Sequence, residues 1–386
     1  MIDLKLLRTS PQQVRAALAR RGDPGLTRLL DEVEALDMKR RSLASRLDQL
    51  NAERNEAARV DAAHVKREGS LPAAVTAKRR ELGTQVAELE DQLKSVEADL
   101  ERKALFVPNL PLPELPDGDA SHNAIVRTWG EPAPRGGKPH WEIGAALGIL
   151  DLERGAKLAG SGFPVFVGAG AKLVRGLINF MLDLHTGEHG YVEVEPPFVV
   201  KRETMEGTGQ LPKLEDDAYK TAPDDLFLVP TAEVPVTNLH RDEILDGTRL
   251  PLGYTAYTPC FRREAGAAGR DTRGLLRVHQ FDKVELVRFA RPAESAAEHE
   301  RMTAHAEAVL QRLELPYRIA LLAAGDLVHT LNASGVPLPR TIAALLETHQ
   351  QAAGSVTLPR ALAPYVGMER LGPPLPPPAA SSSGAP

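Results

Sequence analysis

Apolar residues recur through residues 29–60 in steps of four and three: Leu29, Val33, Leu36, Leu43, Leu47 and Leu50, interrupted only at Arg40. Residues 82–100 carry the same beat without interruption, at Leu82, Val86, Leu89, Leu93, Val96 and Leu100. Such spacing keeps one apolar seam along a helix. Two seams separated by Gly69 and Pro72 predict an antiparallel helical hairpin. With about 35 residues per helix, each arm would reach roughly 50 Å at 1.5 Å per residue.

The pattern then changes. "VPNLPLPELPDGD" at 107–119 is too rich in proline to continue a helix and reads as the start of a linker spanning 107–135. An apolar helix is expected near 170–185, and "GYVEVEPPFVV" alternates like a strand up to Pro196-Pro197. Residues 203–230 read as loop. Strands are expected at 254–262, 276–289 and 317–323, a helix at 293–313, and a last helix from about Arg340. Helices mixed with an antiparallel sheet give an α+β class for this half. The tail "LGPPLPPPAASSSGAP" is of low complexity, and disorder is expected over 371–386.

Composition narrows the partners. The net charge is −5, so no global field draws nucleic acid or an anionic membrane, and any RNA contact must come from a local patch. Basic groups do collect on the hairpin: Lys39, Arg40, Arg41 and Arg46 on the first helix, Lys78, Arg79 and Arg80 on the second. Acidic residues intersperse them, so a solvated face, a dimerisation coiled coil and a ligand-binding arm all fit the pattern. One cysteine, Cys260, permits no internal disulfide and suits a reducing compartment. The start "MIDLKLLRTSPQQV" has no apolar leader, and no segment approaches a membrane span, so a cytoplasmic protein is expected.

The densest chemistry lies in "FRREAGAAGRDTRGLLRVHQFDKVE", residues 261–285. Side chains two apart on a strand share a face, so Arg277, His279, Phe281, Lys283 and Glu285 would project together, as would Arg262 and Glu264. Arginine pairs with phosphate, an aromatic ring stacks on a base, and a carboxylate accepts from an amine or hydroxyl. Such a ribbon suits a nucleotide. An exposed hairpin laced with ion pairs fits the charge pattern too. Three other signals are weaker. His185 and His189 in "HTGEH" have the spacing of zinc ligands on a helix, but Gly187 between them favours a helix end. "GAGAKLVRG" at 168–176 is only a loose phosphate-loop match, and Cys260 reads as a buried thiol.

Taken in order, "GSGF", "FMLDLHTGEHGYVEVEPPFVV", "PTAEVPVTNLH", the 261–285 stretch and "HTLNASGVPLPRTIAALLETHQ" resemble bacterial-type seryl-tRNA synthetases, a family of class II aminoacyl-tRNA synthetases. The likeness runs from "MIDLKLLR" to "LAPYVGMERL". It implies a tRNA-binding helical arm at 1–106 and a class II catalytic domain with an antiparallel sheet at 136–370. It also implies serine–tRNA ligase activity with ATP and Mg²⁺, a homodimer with Pro197 at its interface, and tRNA(Ser), together with tRNA(Sec), as partners. Arg262 and Arg340 would be catalytic. Arg262, Arg263, Glu264, Arg277, Val278, Phe281 and Arg340 would bind ATP. Thr231, Ala232, Glu233, Glu285 and Ser334 would bind serine, and the seven arm cations would contact tRNA.

One departure accompanies the resemblance. In the family a block of sequence separates the "GD" matching Gly325-Asp326 from the "HTLN" matching His329–Asn332, whereas here Leu327 runs directly into Val328. That block supplies sheet strands and a metal- and ATP-binding glutamate, so no metal ligand is identified in this chain. The strand at 317–323 is then expected to have lost its neighbours, and serine activation to be weak. Two other functions stay open at this point: a non-catalytic tRNA-binding relative, and an enzyme adenylating another small amino acid.

Overall fold

The computed structural model describes residues 2–132, 136–265, 273–326 and 336–372. The chain divides into two compact units, Met1–Ala124 with Leu321–Thr330, and Ile125–Ala320 with Leu331–Pro386. The junction between Leu327 and Val328, the residue Ser334 and the 371–386 tail beyond Gly372 lie outside the described residues.

The first unit is the expected hairpin. Helix α1 spans Gly25–Glu68 and α2 spans Ala73–Ala104. At 1.5 Å per residue they are about 66 and 48 Å long, so the first is longer than the seam alone suggested. Gly69 ends α1 in the left-handed region at φ 78°, donating its N–H to the Val65 carbonyl at 2.9 Å, a conformation that glycine adopts without strain. Val33, Leu50, Val86, Val96 and Leu100 of the two seams are buried. Near the base, two short helices, Leu4–Thr9 and Pro11–Ala19, close a core of Leu7, Val14, Leu18, Leu26, Leu30 and Leu100. Arg8 clamps the buried Asp37 with two bonds of 2.8 and 2.6 Å, which hold that carboxyl below its ordinary pKa.

The proline-rich stretch is packed rather than free. Arg20 donates to the carbonyls of Leu112 and Leu115, the Ala324 N–H donates to the Pro116 carbonyl, and Asn123 donates to Asp326. Gly325 lies so close that a Cβ there would meet the Gly118 oxygen at 2.6 Å. Residues 107–123 therefore belong to the first unit. The segment read as linker ends in a strand.

That strand, β1 (Ala124–Trp129), opens the second unit, followed by helices α3 (His140–Ala146) and α4 (Ala169–Gly187). Strands β2 (Val192–Glu193), β3 (Leu252–Phe261) and β4 (Gln280–Phe289) form one sheet in that order. Helix α5 (Ser295–Arg312), strand β5 (Tyr317–Leu321) and helix α6 (Leu338–Thr348) complete the frame. The class is α+β, as expected. Strands β3 and β4 are antiparallel over ten pairs, but β2 joins β3 in parallel, so the sheet is mixed. Among the described residues β4 is its last strand.

The 317–323 expectation needs correcting. Strand β5 pairs with β1, and the Trp129 and Tyr317 rings stack at 5.8 Å, so it is not left without a neighbour. The main core gathers Leu173, Leu177, Phe180, Met181 and Leu184 of α4, Leu338, Ile342, Leu345 and Leu346 of α6, and Val309 of α5, with Val284 of β4 packed against it. The even-numbered face of β4 thus looks into the core. On its odd-numbered face Val287 packs against a smaller core of Ala232, Val236 and Ala256, which leaves Phe281, Lys283 and Glu285 for chemistry.

Candidate active site

The register sets Cys260 opposite Phe281, Thr258 opposite Lys283 and Ala256 opposite Glu285. Phe281, Lys283 and Glu285 line one face of β4, as a period of two requires. The expected straight run back to Arg277 does not occur, because the strand begins at Gln280. Residues 277–279 leave it because His279 is held from outside. Its N–H donates to the Gly162 carbonyl at 2.8 Å, its ring stacks on Phe163 at 5.3 Å, and its Nδ1 lies 3.0 Å from the Arg262 carbonyl oxygen. Gly162 sits at φ 84°, and a Cβ there would lie 2.4 Å from the His279 ring. The "GSGF" turn is therefore a support for the ribbon.

Arg262 leaves β3 with its guanidinium 5.3 Å above the centre of the Phe281 ring, a cation–π contact. Arg263, one residue on, turns the other way and donates to the Asp216 carbonyl at 3.2 Å, bracing the 215–217 turn. Glu264 has φ 51°, an uncommon conformation for a residue with a side chain, and it binds Arg277 at 2.6 Å. Val278 is buried. Arg340 lies on the exposed side of α6, where its Nε points to the Leu276 carbonyl at 3.4 Å, so α6 brings its arginine to the hairpin.

Next to this group lies a small polar network. Thr231, buried on the segment before the short helix Glu233–Thr237, donates its hydroxyl to Glu285 Oε2 at 2.6 Å. Lys283 Nζ donates to Thr231 Oγ1 at 2.7 Å and forms an ion pair with Glu285. Ala232 is fully buried and packs with Val236 and Ala256. A cavity of about 360 Å³ opens beside the start of β4, lined among others by Phe163, Phe166, Gln280, Phe281, Asp282 and Leu338. Three consecutive residues of one strand line it, so the cavity follows the strand's open edge.

Sequence reasoning missed one residue that shapes this site. His140, which is 1% exposed, accepts the Leu275 N–H at its Nε2 (2.9 Å), and its Nδ1 lies 2.7 Å from Glu347 of α6. It ties the end of the hairpin loop to the helix that carries Arg340. A lone histidine opening a short helix gives no local signal of that task.

The weaker motifs resolve as scaffold. Gly170 of "GAGAKLVRG" touches the Ile149 carbonyl so closely that a Cβ would lie 2.2 Å away, which explains the glycine by packing. Cys260 is fully buried, and burial pushes its thiol up to about 11. His185 sits in the last turn of α4, as expected of a helix end, with Nδ1 2.9 Å from His189 Nδ1. A third histidine, His305, stacks on His189 at 4.0 Å. Among the described residues no group of three or more His, Cys, Asp or Glu side chains is arranged to hold a metal.

Residues 1–111 match the family model of the seryl-tRNA synthetase N-terminal domain, and residues 214–334 match that of the class II tRNA synthetase core domain (G, H, P, S and T). The serine–tRNA ligase of Gemmatimonas aurantiaca is 45% identical over 423 positions, covering 95% of this chain and 99% of its own. The chain belongs to the serine–tRNA ligase family. The serine–tRNA ligase of Pelotomaculum thermopropionicum is also 45% identical, over 96% of this chain and 100% of its own. Among solved structures, the seryl-tRNA synthetase of Pyrococcus horikoshii, complexed with ATP, superposes with a TM-score of 0.87 at 31% identity, covering 97% of this chain and 100% of that one. This serine–tRNA ligase family member is nonetheless shorter than its relatives. The Gemmatimonas alignment has 423 positions and takes in 95% of the 386 residues, about 367, so about 56 of its positions have no counterpart here.

Proposed function

We propose that the chain activates L-serine with ATP and transfers the seryl group to tRNA(Ser), and to tRNA(Sec) as well. The observation that carries this reading is the order of groups on one ribbon face: the Phe281 ring under Arg262, then Lys283, then Glu285 bonded to Thr231. Phe281 offers its ring to adenine. Arg262 lies where charge moves as the serine carboxylate attacks the α-phosphate, giving seryl-adenylate and pyrophosphate. The adenylate carbonyl is then attacked by a tRNA terminal hydroxyl, and AMP leaves. Arg277 and Arg340, the latter brought in by α6, extend the positive edge toward the outer phosphates. Thr231, Ala232, Glu233 and Glu285 form the serine pocket, and Ser334, which the family likeness adds to them, lies outside the described residues. Positioning and charge carry the catalysis, with no covalent intermediate on the protein.

The described residues do not form a magnesium site. Of the described carboxylates of the ribbon, Glu264 and Glu285 are each engaged by a cation of the chain, and Asp282 accepts the Tyr257 hydroxyl at 2.7 Å. The steps above therefore run through the chain's own residues and its substrates. Val192 and Val199, exposed beside the Pro196-Pro197 bend, support the expectation of a homodimer. On the arm, Lys39, Lys78 and Arg80 carry no ion pair among the described residues and suit the RNA backbone, whereas Arg79 is bound to Asp61 at 3.0 Å. A tRNA-binding relative without turnover takes its support from the missing positions. Serine-dependent ATP–pyrophosphate exchange on the purified chain separates the two: exchange with serine supports the ligase, and tRNA binding without exchange supports the other.

A further inference from the structure

Lys283 holds a position that none of the roles above explains. Its Nζ bonds the same two side chains, Thr231 and Glu285, that the proposed serine pocket offers to the substrate ammonium. A lysine ammonium thus fills the place of the amino acid's own. The geometry points to Lys283 as a placeholder cation: serine, a zwitterion, inserts into the Lys283–Glu285 pair, its ammonium taking Glu285 and Thr231 while the displaced Nζ takes its carboxylate. This rests on reading Thr231 and Glu285 as the serine pocket.

Three observations support the exchange. The first is order along the strand. Phe281, Lys283 and Glu285 follow at about 6.7 Å intervals on one face. With adenine stacked at Phe281 and the ammonium held at Glu285, the junction between carboxylate and α-phosphate falls over Lys283. The second is charge. Two anions meet at that junction, and a cation aimed between them lowers the cost of bringing them together. If Lys283 stayed on Glu285 as serine bound, one carboxylate would face two ammonium groups and the substrate carboxylate would face none from this residue. The third is freedom to move. Lysine has a flexible four-carbon stem, and the Lys283 side chain is 18% exposed, so it is neither buried solid nor pinned by aromatic packing. Arg262, stacked on Phe281, serves the phosphate side of the same junction.

The test separates a cation that touches substrate from one that only braces the pocket. Equilibrium binding of L-serine and of L-serinamide, whose carboxylate is replaced by an uncharged carboxamide, is measured by calorimetry at about pH 6.5, where both amines are protonated, on the full chain and on Lys283→Met and Lys283→Gln. The unaltered chain should prefer serine by about tenfold or more, as expected for one charge-assisted contact. In either variant that preference should collapse to near unity, with serinamide binding as well as before or better because its ammonium no longer competes with Nζ. The glutamine variant can still bond Thr231 and guards against loss of folding in the methionine variant, and thermal unfolding checks both. If serine and serinamide weaken together and the preference is kept, Lys283 is a structural brace and the proposal is overturned. If the unaltered chain binds neither ligand, the serine-pocket reading falls and takes this proposal with it.

Discussion

Replacing His140 by alanine tests how the ribbon is held. The imidazole is 1% exposed and accepts the N–H of Leu275, itself buried. Without it that N–H has no acceptor, at about 1–3 kcal/mol. The ring also meets Trp141 edge-on at 4.9 Å, worth about 0.5–1.5 kcal/mol. The contact with Glu347, whose side chain is 45% exposed, adds at most about 1 kcal/mol. The sum, about 1.5–5.5 kcal/mol, should lower the melting temperature of the second unit by about 3–20 °C for a domain of this size. Differential scanning calorimetry of the full chain reads this directly, and the transition of the helical arm should stay in place. A second substitution checks the cause. Gly274→Ala would bring a methyl group within 2.2 Å of His140 Nε2. It should be costly alone and milder beside His140→Ala, with a coupling of about 1 kcal/mol or more. A His140→Ala melting point within about 2 °C of the unaltered protein, or two shifts that simply add, would refute this account of the anchor.

Arg262→Ala should lower the rate of serine adenylation more than it weakens serine binding, because its charge counts most as the α-phosphate is attacked, while Phe281→Ala should mainly raise the KM for ATP; equal small effects in steady-state exchange kinetics would remove the nucleotide from this ribbon. Affinity for tRNA(Ser) should fall steeply with salt, and alanine at Lys39, Lys78 and Arg80 should flatten the log–log slope by about one for each phosphate no longer neutralised, whereas salt-independent binding would make the stripe a solvated face. Acid should destabilise the second unit. Burial first, then His189 and His305, push His185 from 6.5 to about 3, and burial pushes His305 to about 4. Glu298, Arg288 and Arg301 also face the cluster. The unfolded chain takes up these protons near 6.5 while the folded chain stays neutral, so their stabilisation is complete above about pH 6.5 and declines as pH falls toward 4 and then 3. Urea midpoints that fail to drop between about pH 7.5 and 5 would contradict this sign.

What could be read from the residues follows the range of the forces. The arm was legible because a heptad seam is a local pattern, and Gly69 and Pro72 punctuate it. Strands 254–262 and 276–289 appear as Leu252–Phe261 and Gln280–Phe289, since alternation over ten residues is also local. The later strand starts four residues downstream because His279 is claimed by Gly162 and Phe163, more than a hundred positions away. β1 went unread inside the linker: after Ala124 every residue is exposed, so it has no alternation to show. The helix Arg202–Gly207 and the strand pair Val199–Lys201 with Leu226–Leu228 fell in a stretch read partly as loop, each too short to display a period. In the site, Arg262, Phe281 and Glu285 were visible as residue types on one ribbon. The bond from Thr231 to Glu285 crosses 54 positions, and its place in a pocket came from the family likeness rather than from spacing. His140 and His305 carry no local mark.

If this chain activates serine and is limited by the positions it lacks, restoring them should raise its rate. Serine-dependent ATP–pyrophosphate exchange, run side by side on the chain and on a version with a family-like segment inserted between Leu327 and Val328, tests it most directly. Exchange is expected with L-serine alone among small amino acids, weak in the chain as it stands and higher by about a hundredfold or more once the segment is restored. No serine-dependent exchange in the restored chain would contradict the claim, and equal rates in the two would show that the missing positions are dispensable.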